Sequence, residues 1–152
     1  VRLGGLHEGV AAADGTVVFA AEPWKHIHTA FGGWMDGVVS AAVLVRLVAA
    51  AGGVDSLREP VEERPYRKEN VECPDERKAA AMAAVAGELG ATFPDAEFDE
   101  SYGVRATRPD GSWVLVRPSG TEPYLRIYAE SDDVDAMLAD ARDAVRTAVE
   151  QA

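Results

Sequence analysis

The sequence predicts an α+β protein in two unequal parts. Three observations predict it. From residue 67 on, short strand-like runs are joined by tight turns and accompanied by two helical stripes. The segment Glu59-Pro60-Val61-Glu62-Glu63-Arg64-Pro65-Tyr66 is polar and carries two prolines, the signature of a linker. The first 58 residues offer only two short apolar runs and one nearly all-apolar helix, too little for a complete layered domain. Residues 1–58 therefore read as the tail of an α/β domain, 59–66 as the linker and 67–152 as a domain of its own.

In chain order, Val10–Ala13 and Thr16–Ala20 flank Asp14-Gly15, a two-residue hairpin signal. A helix is predicted over Met35–Ala51, with Asp36 favouring its start and Gly52-Gly53 its end. Its near-continuous apolar sequence implies burial on most sides. Arg67–Val71 reads as a strand. Pro74–Leu89 reads as a helix, with Pro74 in its first turn and Gly90 at its end. Strands follow at Ser101–Thr107, Trp113–Val116 and Leu125–Glu130. Asp132 or Asp133 caps a last helix to about Val149, striped by Val134, Met137, Leu138, Ala141, Val145 and Ala148. The order β-α-β-β-β-α favours a four-stranded antiparallel sheet with both helices on one face.

The net charge of −11 argues against nucleic acid and anionic membranes as partners. No apolar run approaches the roughly 18 to 20 residues that span a bilayer, and no signal-peptide pattern opens the sequence. A cytoplasmic location is expected. Three lysines, at 25, 68 and 78, stand against a dozen arginines and 26 acidic residues. That balance suggests a halophile, with a mesophile of GC-rich genome as the alternative. The single cysteine, Cys73, rules out an internal disulfide and reads as a small half-buried apolar residue.

Chemistry concentrates in Val116-Arg117-Pro118-Ser119-Gly120-Thr121-Glu122-Pro123-Tyr124-Leu125-Arg126. Pro118 and Pro123 fix φ and remove two donors, so the segment is a shaped loop between strands. Gly120 is expected to allow a turn where a Cβ would clash. The amides of Ser119 to Thr121 could form a nest of donors, and Arg117 and Arg126 could add forked guanidinium donors suited to a phosphate. The plainer alternative is a tight hairpin whose Ser and Thr bond their own backbone.

Arg117-Pro118-Ser119-Gly120-Thr121-Glu122-Pro123 resembles the phosphate-binding loop in the last domain of the α-D-phosphohexomutases, the family of phosphoglucomutase, phosphomannomutase and phosphoglucosamine mutase. The resemblance implies that Arg117, Ser119, Gly120 and Thr121 hold the substrate phosphate, with Arg126 assisting. A second stretch, Ala21-Glu22-Pro23-Trp24-Lys25-His26, places an acid, an ammonium and an imidazole within five residues. Taken alone it also fits a surface loop with a Glu–Lys pair and a half-buried Trp. It is similar to the family's sugar-recognition loop, with Glu22, His26 and Asp36-Gly37 matching. Trp24 stands where the family has a serine, and Lys25 where it has a glycine. Glu22 would read sugar hydroxyls, His26 would orient or exchange protons with the reacting hydroxyl, and Trp24 and Lys25 would line the substrate.

The resemblance covers the family's final third. Neither the phosphoserine loop nor the Asp-Gly-Asp-x-Asp-Arg loop that holds Mg²⁺ occurs in these 152 residues, so no cofactor is expected on this chain, and Mg²⁺ belongs to the full-length parent. The first residue is Val rather than Met, and the expectation is a C-terminal portion of a mutase whose N-terminal domains are its partners and hexose phosphate its ligand. Whether the portion is itself an enzyme stays open; it lacks those loops, and inactivity alone is expected. Two other readings stand beside this one: a truncated, non-catalytic module that binds phosphosugars or a protein, and an unrelated α+β interaction domain.

Overall fold

The computed structural model describes residues 5–22 and 25–152. They fall into two compact units, up to Glu62 and from Glu63 on, and the boundary lies inside the proline-bearing segment.

The second unit is an α+β layer. Its strands are β3 (Tyr66–Glu72), β4 (Glu97–Asp99), β5 (Val104–Thr107), β6 (Trp113–Pro118) and β7 (Tyr124–Glu130), in the spatial order β3-β7-β6-β5-β4 with every pair antiparallel. Two helices, α4 (Lys78–Thr92) and α5 (Val134–Gln151), pack on each other and against the sheet. Alternation fixes the inward set: Val104 and Ala106, Val114 and Val116, and Leu125, Ile127 and Ala129 are buried, while their neighbours along each strand are more exposed. Ala81, Val85 and Leu89 of α4 meet them with eight buried residues of α5, from Val134 to Val149. Asp133 caps α5 by accepting from the Ala136 amide.

The sheet has five strands where four were expected. The extra one, Glu97–Asp99, is a three-residue exposed edge strand with one apolar residue, Phe98, too short to show a clear apolar alternation. The strand expected from Ser101 begins at Val104. The helix expected to stop at Gly90 is preceded by a 3₁₀ turn (Asp75–Arg77) and runs on to Thr92. Burial of Leu89 and Phe93 against the sheet outweighs the roughly 1 kcal/mol that a helical glycine costs.

The first unit contains α1 (Gly5–Ala12), a small antiparallel pair of β1 (Ala20–Glu22) and β2 (Lys25–Ile27), α2 (Gly37–Ala51) and α3 (Val54–Arg58). The expected hairpin about Asp14-Gly15 is absent. Val10 to Ala12 close a helix instead, where Leu6 and Val10 share one face, and Thr16–Phe19 is irregular. α2 is capped by Asp36, which accepts from the Val38 and Val39 amides, and by Gly52 at φ 84°. Burial on most sides was expected for it, yet none of its residues is buried. Among the described residues it meets mainly β2 and α3 within this unit, and these leave all of its residues at least partly exposed.

Candidate functional site at the β6–β7 turn

The expected loop connects β6 to β7, the two strands next to each other in the interior of the sheet. Register places Arg117 opposite Arg126 and Pro118 opposite Leu125. Both arginines project from the face away from the helices, since Val116, Leu125 and Ile127 take the buried side. Arg117 and Arg126 thus leave the same face of the paired strands at the base of one turn.

Ser119 is almost fully buried. Its amide donates to the Tyr124 carbonyl at 3.0 Å, which closes the turn and uses that donor internally. Its hydroxyl oxygen accepts from Arg126 Nη2 at 3.2 Å and, at 3.5 Å, lies at the limit of a bond from the Thr121 amide. The Gly120 amide has no acceptor among the described residues. Gly120 itself departs from expectation. Its φ is not positive, and a Cβ built there would meet no atom of this chain within 4 Å. The turn does not need glycine for its own geometry; what glycine leaves is open space beside a free amide.

Arg126 is anchored from several sides. Nη2 also reaches the Tyr124 hydroxyl at 3.5 Å, and the guanidinium lies 5.5 Å from the Tyr124 ring centre. The Tyr124 hydroxyl, then that of Tyr128, raises the Arg126 pKa above its already high value, so the cation is permanent. Its Nε is buried without a partner. Tyr124 is itself held by a hydrogen bond to the Glu122 carboxylate. No hydrogen bond or ion pair of the described residues engages the Arg117 guanidinium. Its stem lies over Gly103, whose φ is 113°: a Cβ at 103 would sit 2.6 Å from Arg117 Cγ and collide with the Val116 carbonyl oxygen. Gly103 is therefore required where Arg117 crosses it, both for space and for conformation.

Two further residues hold the turn, and the sequence reading did not place them. Lys78, in the first turn of α4, donates to the carbonyls of Ser119 at 2.7 Å and Glu122 at 2.5 Å. The Cys73 amide donates to the Pro123 carbonyl at 2.9 Å. Burial pushes the Cys73 thiol pKa up, as for a small apolar core residue. Neither tie carries a sequence signal, because each partner lies more than 40 residues from the turn.

In the first unit, β1–β2 pairing sets Glu22 opposite Lys25 and Ala21 opposite His26. Lys25 Nζ and Glu22 Oε1 form an ion pair at 2.8 Å, so these two candidates engage each other. His26 is half-buried, with its ring centre 6.0 Å from that of Phe19. Trp24 lies outside the described residues. His28, on the next outward position, meets Ser40 at 3.1 Å. Phe19, His26, His28, Ser40 and the α2 residues Leu44 and Leu47 line a mainly apolar cavity of about 310 Å³. Among the described residues no group of three or more His, Cys, Asp or Glu is arranged to hold a metal ion, and no helix is long and apolar enough to cross a membrane.

These features define an α+β domain with an arginine- and hydroxyl-bearing turn on two interior strands. Residues 69–148 match the family model described as phosphoglucomutase/phosphomannomutase, C-terminal domain. The chain belongs to that family. It is 38% identical over 134 residues to the phosphopentomutase of Thermococcus kodakarensis, which covers 86% of this chain and 29% of that protein. It is 41% identical over 133 residues to a probable phosphoglucosamine mutase of Methanothermobacter thermautotrophicus, covering 85% and 29%. A second probable phosphoglucosamine mutase, from Methanopyrus kandleri, is 39% identical over 159 residues, covering 99% and 34%. The chain thus spans about a third of these relatives. A solved phosphoglucomutase/phosphomannomutase family protein from Burkholderia thailandensis shares the fold, with TM-score 0.58 and 22% identity over 84% of this chain and 26% of that one.

Proposed function

We propose that this chain is the substrate-recognition portion of a phosphohexomutase, which moves phosphate between O1 and O6 of a hexose phosphate through a bisphosphorylated sugar. In this reading Arg117, Ser119, Gly120 and Thr121 bind the phosphate that is not being transferred, with Arg126 assisting. Residues 67–152 form the phosphate-binding domain, and residues 1–58 form the end of the sugar-recognition domain. There Glu22 and Lys25 meet sugar hydroxyls or substituents beside Trp24, and His26 orients or exchanges a proton with the reacting hydroxyl. Anchoring the remote phosphate positions the other end of the sugar for reaction. Mg²⁺ and the phosphoryl donor would come from the parts of a full-length parent that these residues do not include.

One observation carries the reading. The β6–β7 turn sets Arg117 opposite Arg126 on one face of the paired strands, with Ser119 bonded to Arg126 and the Gly120 amide without an acceptor, at a place where a glycine is not needed for the turn itself. Such a set of forked cations, hydroxyl and amide suits a tetrahedral dianion. The relatives include a named phosphopentomutase beside phosphoglucosamine mutases, so a pentose phosphate belongs in the test.

The test is an amide-shift titration of the chain in molar KCl. Inorganic phosphate, glucose 1-phosphate, glucosamine 6-phosphate and ribose 5-phosphate are compared. Shifts at Ser119–Thr121 are expected with all four, and shifts at Glu22–His26 with the preferred sugar alone. Arg117→Ala is expected to weaken inorganic phosphate on the order of tenfold, since hydrogen bonds to charged groups contribute about 1.5–3 kcal/mol each. A folded Arg117→Ala protein with an unchanged phosphate response would overturn the reading.

A further inference from the structure

Lys78 is partly buried at the foot of the turn, with a side chain only 13% exposed. An ammonium has three donors. Here one goes to the Ser119 carbonyl at 2.7 Å, one to the Glu122 carbonyl at 2.5 Å and one to the Asp75 carboxylate at 2.6 Å. None remains for a ligand. Lys78 therefore does not resemble Arg117, whose guanidinium is unengaged, and a direct contact with phosphate is not its task.

Its bond to Ser119 has a consequence for the neighbouring amide. In a trans peptide the C=O and the following N–H point in opposite directions across one rigid plane. With the Ser119 carbonyl drawn toward Lys78, the Gly120 N–H of the same plane is turned away from α4 and left without an acceptor. Glycine makes that plane easy to invert, because a flip changes φ of residue 120 and glycine accepts either sign. An inverted plane would present a carbonyl oxygen to the anion instead of an amide. Nothing within the turn itself opposes the flip: the Gly120 amide makes no bond of its own, and no side chain packs against the Gly120 Cα where a Cβ would stand.

We infer that Lys78 is a positioning residue that selects the amide-outward orientation of the Ser119–Gly120 peptide and so presets the anion-binding turn from the opposite side. Asp75 holds the ammonium in place, and the Glu122 carbonyl gives it a second grip across the turn. The inference rests on the phosphate reading above and deepens it: the site's affinity depends on a lysine that never touches the phosphate.

The test compares the chain with Lys78→Met and Lys78→Arg by NMR, with inorganic phosphate as probe and Arg117→Ala as reference. Without ligand, Lys78→Met is expected to move the Gly120 amide resonance and to produce microsecond-to-millisecond exchange broadening there, while core amides of β6 and β7 stay in place. Phosphate affinity is expected to fall about tenfold, the equivalent of one lost bond to a charged group. Lys78→Arg, which keeps a donor to Ser119, is expected to recover part of both. Adding Gly120→Ala to Lys78→Met disfavours the inverted plane and is expected to quench the broadening even if the protein is less stable. If the unliganded Gly120 amide is unchanged in a folded Lys78→Met protein, the inference is overturned, and any affinity loss is then plain loss of charge. If phosphate fails to shift the turn of the parent chain at all, the phosphate reading itself falls; if Arg117→Ala abolishes the response and Lys78→Met does not alter it, only the role of Lys78 falls.

Discussion

Helices α2 and α5 are similar in length and opposite in circumstance. α2 is the more apolar sequence, yet none of its 15 residues is buried. α5 is acidic and amphipathic, and eight of its 18 residues are buried. Apolar content alone does not bury a helix; a complementary surface does. In the second unit the sheet supplies that surface. In the first unit Ile27 is the only buried apolar side chain among the described residues, while Val38, Leu44, Val45 and Leu47 of α2 are exposed along with Phe19, Phe31 and Trp34. The apolar face of α2 is left largely uncovered within this unit. The second unit has its core and the β6–β7 turn on the same strands, so stability and turn geometry are coupled there.

The sharpest way to break this contrast is to truncate one side chain in each unit. Ile127 is fully buried in the strand that leaves the turn. Ile127→Ala is expected to cost about 2–5 kcal/mol through lost burial and the cavity left behind. Leu44, 54% exposed on α2, is expected to cost within about 0.5 kcal/mol on substitution by Ala. Urea unfolding followed by amide resonances of each unit, those of β6 for Ile127→Ala and those of α2 for Leu44→Ala, measures each loss in its own unit. Equal losses would show that α2 is packed in solution and that the contrast is wrong.

Next in size is Gly103→Ala. A non-glycine residue at φ 113° is strained by about 1–3 kcal/mol, and the new Cβ meets the Val116 carbonyl and the Arg117 stem. Stability should fall by that order, and the phosphate response at the turn should weaken with it because Arg117 is displaced. A loss of stability with an intact phosphate response would separate the core from the site and refute their coupling through this glycine.

How far the sequence carried the description follows the same division. The second unit was legible because its strands alternate and its last helix carries a stripe, both set by one buried face. The β6–β7 turn was legible because prolines, hydroxyls and arginines sit together within ten residues. What stayed hidden was held by partners distant in sequence. Lys78 reaches Ser119 across 41 residues, and Gly103 matters because Arg117 passes over it. Glu97–Asp99 joins the sheet edge with only three residues, too few for a side-chain period to announce it. Gly120 was assigned a steric need in the turn that the backbone does not have. In the first unit, Asp14-Gly15 suggested a hairpin, but the strands that pair are β1 and β2, further along, and residues 10–12 complete a helix. Local turn chemistry was outweighed there by the helical face that Leu6 and Val10 share.

The smallest expected effect concerns where the well-packed unit begins. Arg64, two residues before β3, forms a two-pronged pair with Asp132, Nε to Oδ1 at 3.1 Å and Nη2 to Oδ2 at 2.9 Å, and also donates to the Asp110 carbonyl. The pair ties the entry of the second unit to the residue ahead of the α5 cap. The hydrogen bond from Arg64 holds the Asp132 carboxyl below its usual pKa. A carboxyl whose pKa is depressed in the folded state stabilises the fold above its unfolded pKa of about 3.9, and loses that contribution as pH falls through the lower folded value. The pair is solvent-exposed, so its contribution is small and salt-screened. Asp132→Asn should therefore lower the urea midpoint slightly at pH 7 in low salt. The difference from the parent chain should shrink as pH drops below about 4, and again in molar KCl. A difference that persisted at pH 2 would mean that Asp132 acts through packing rather than charge.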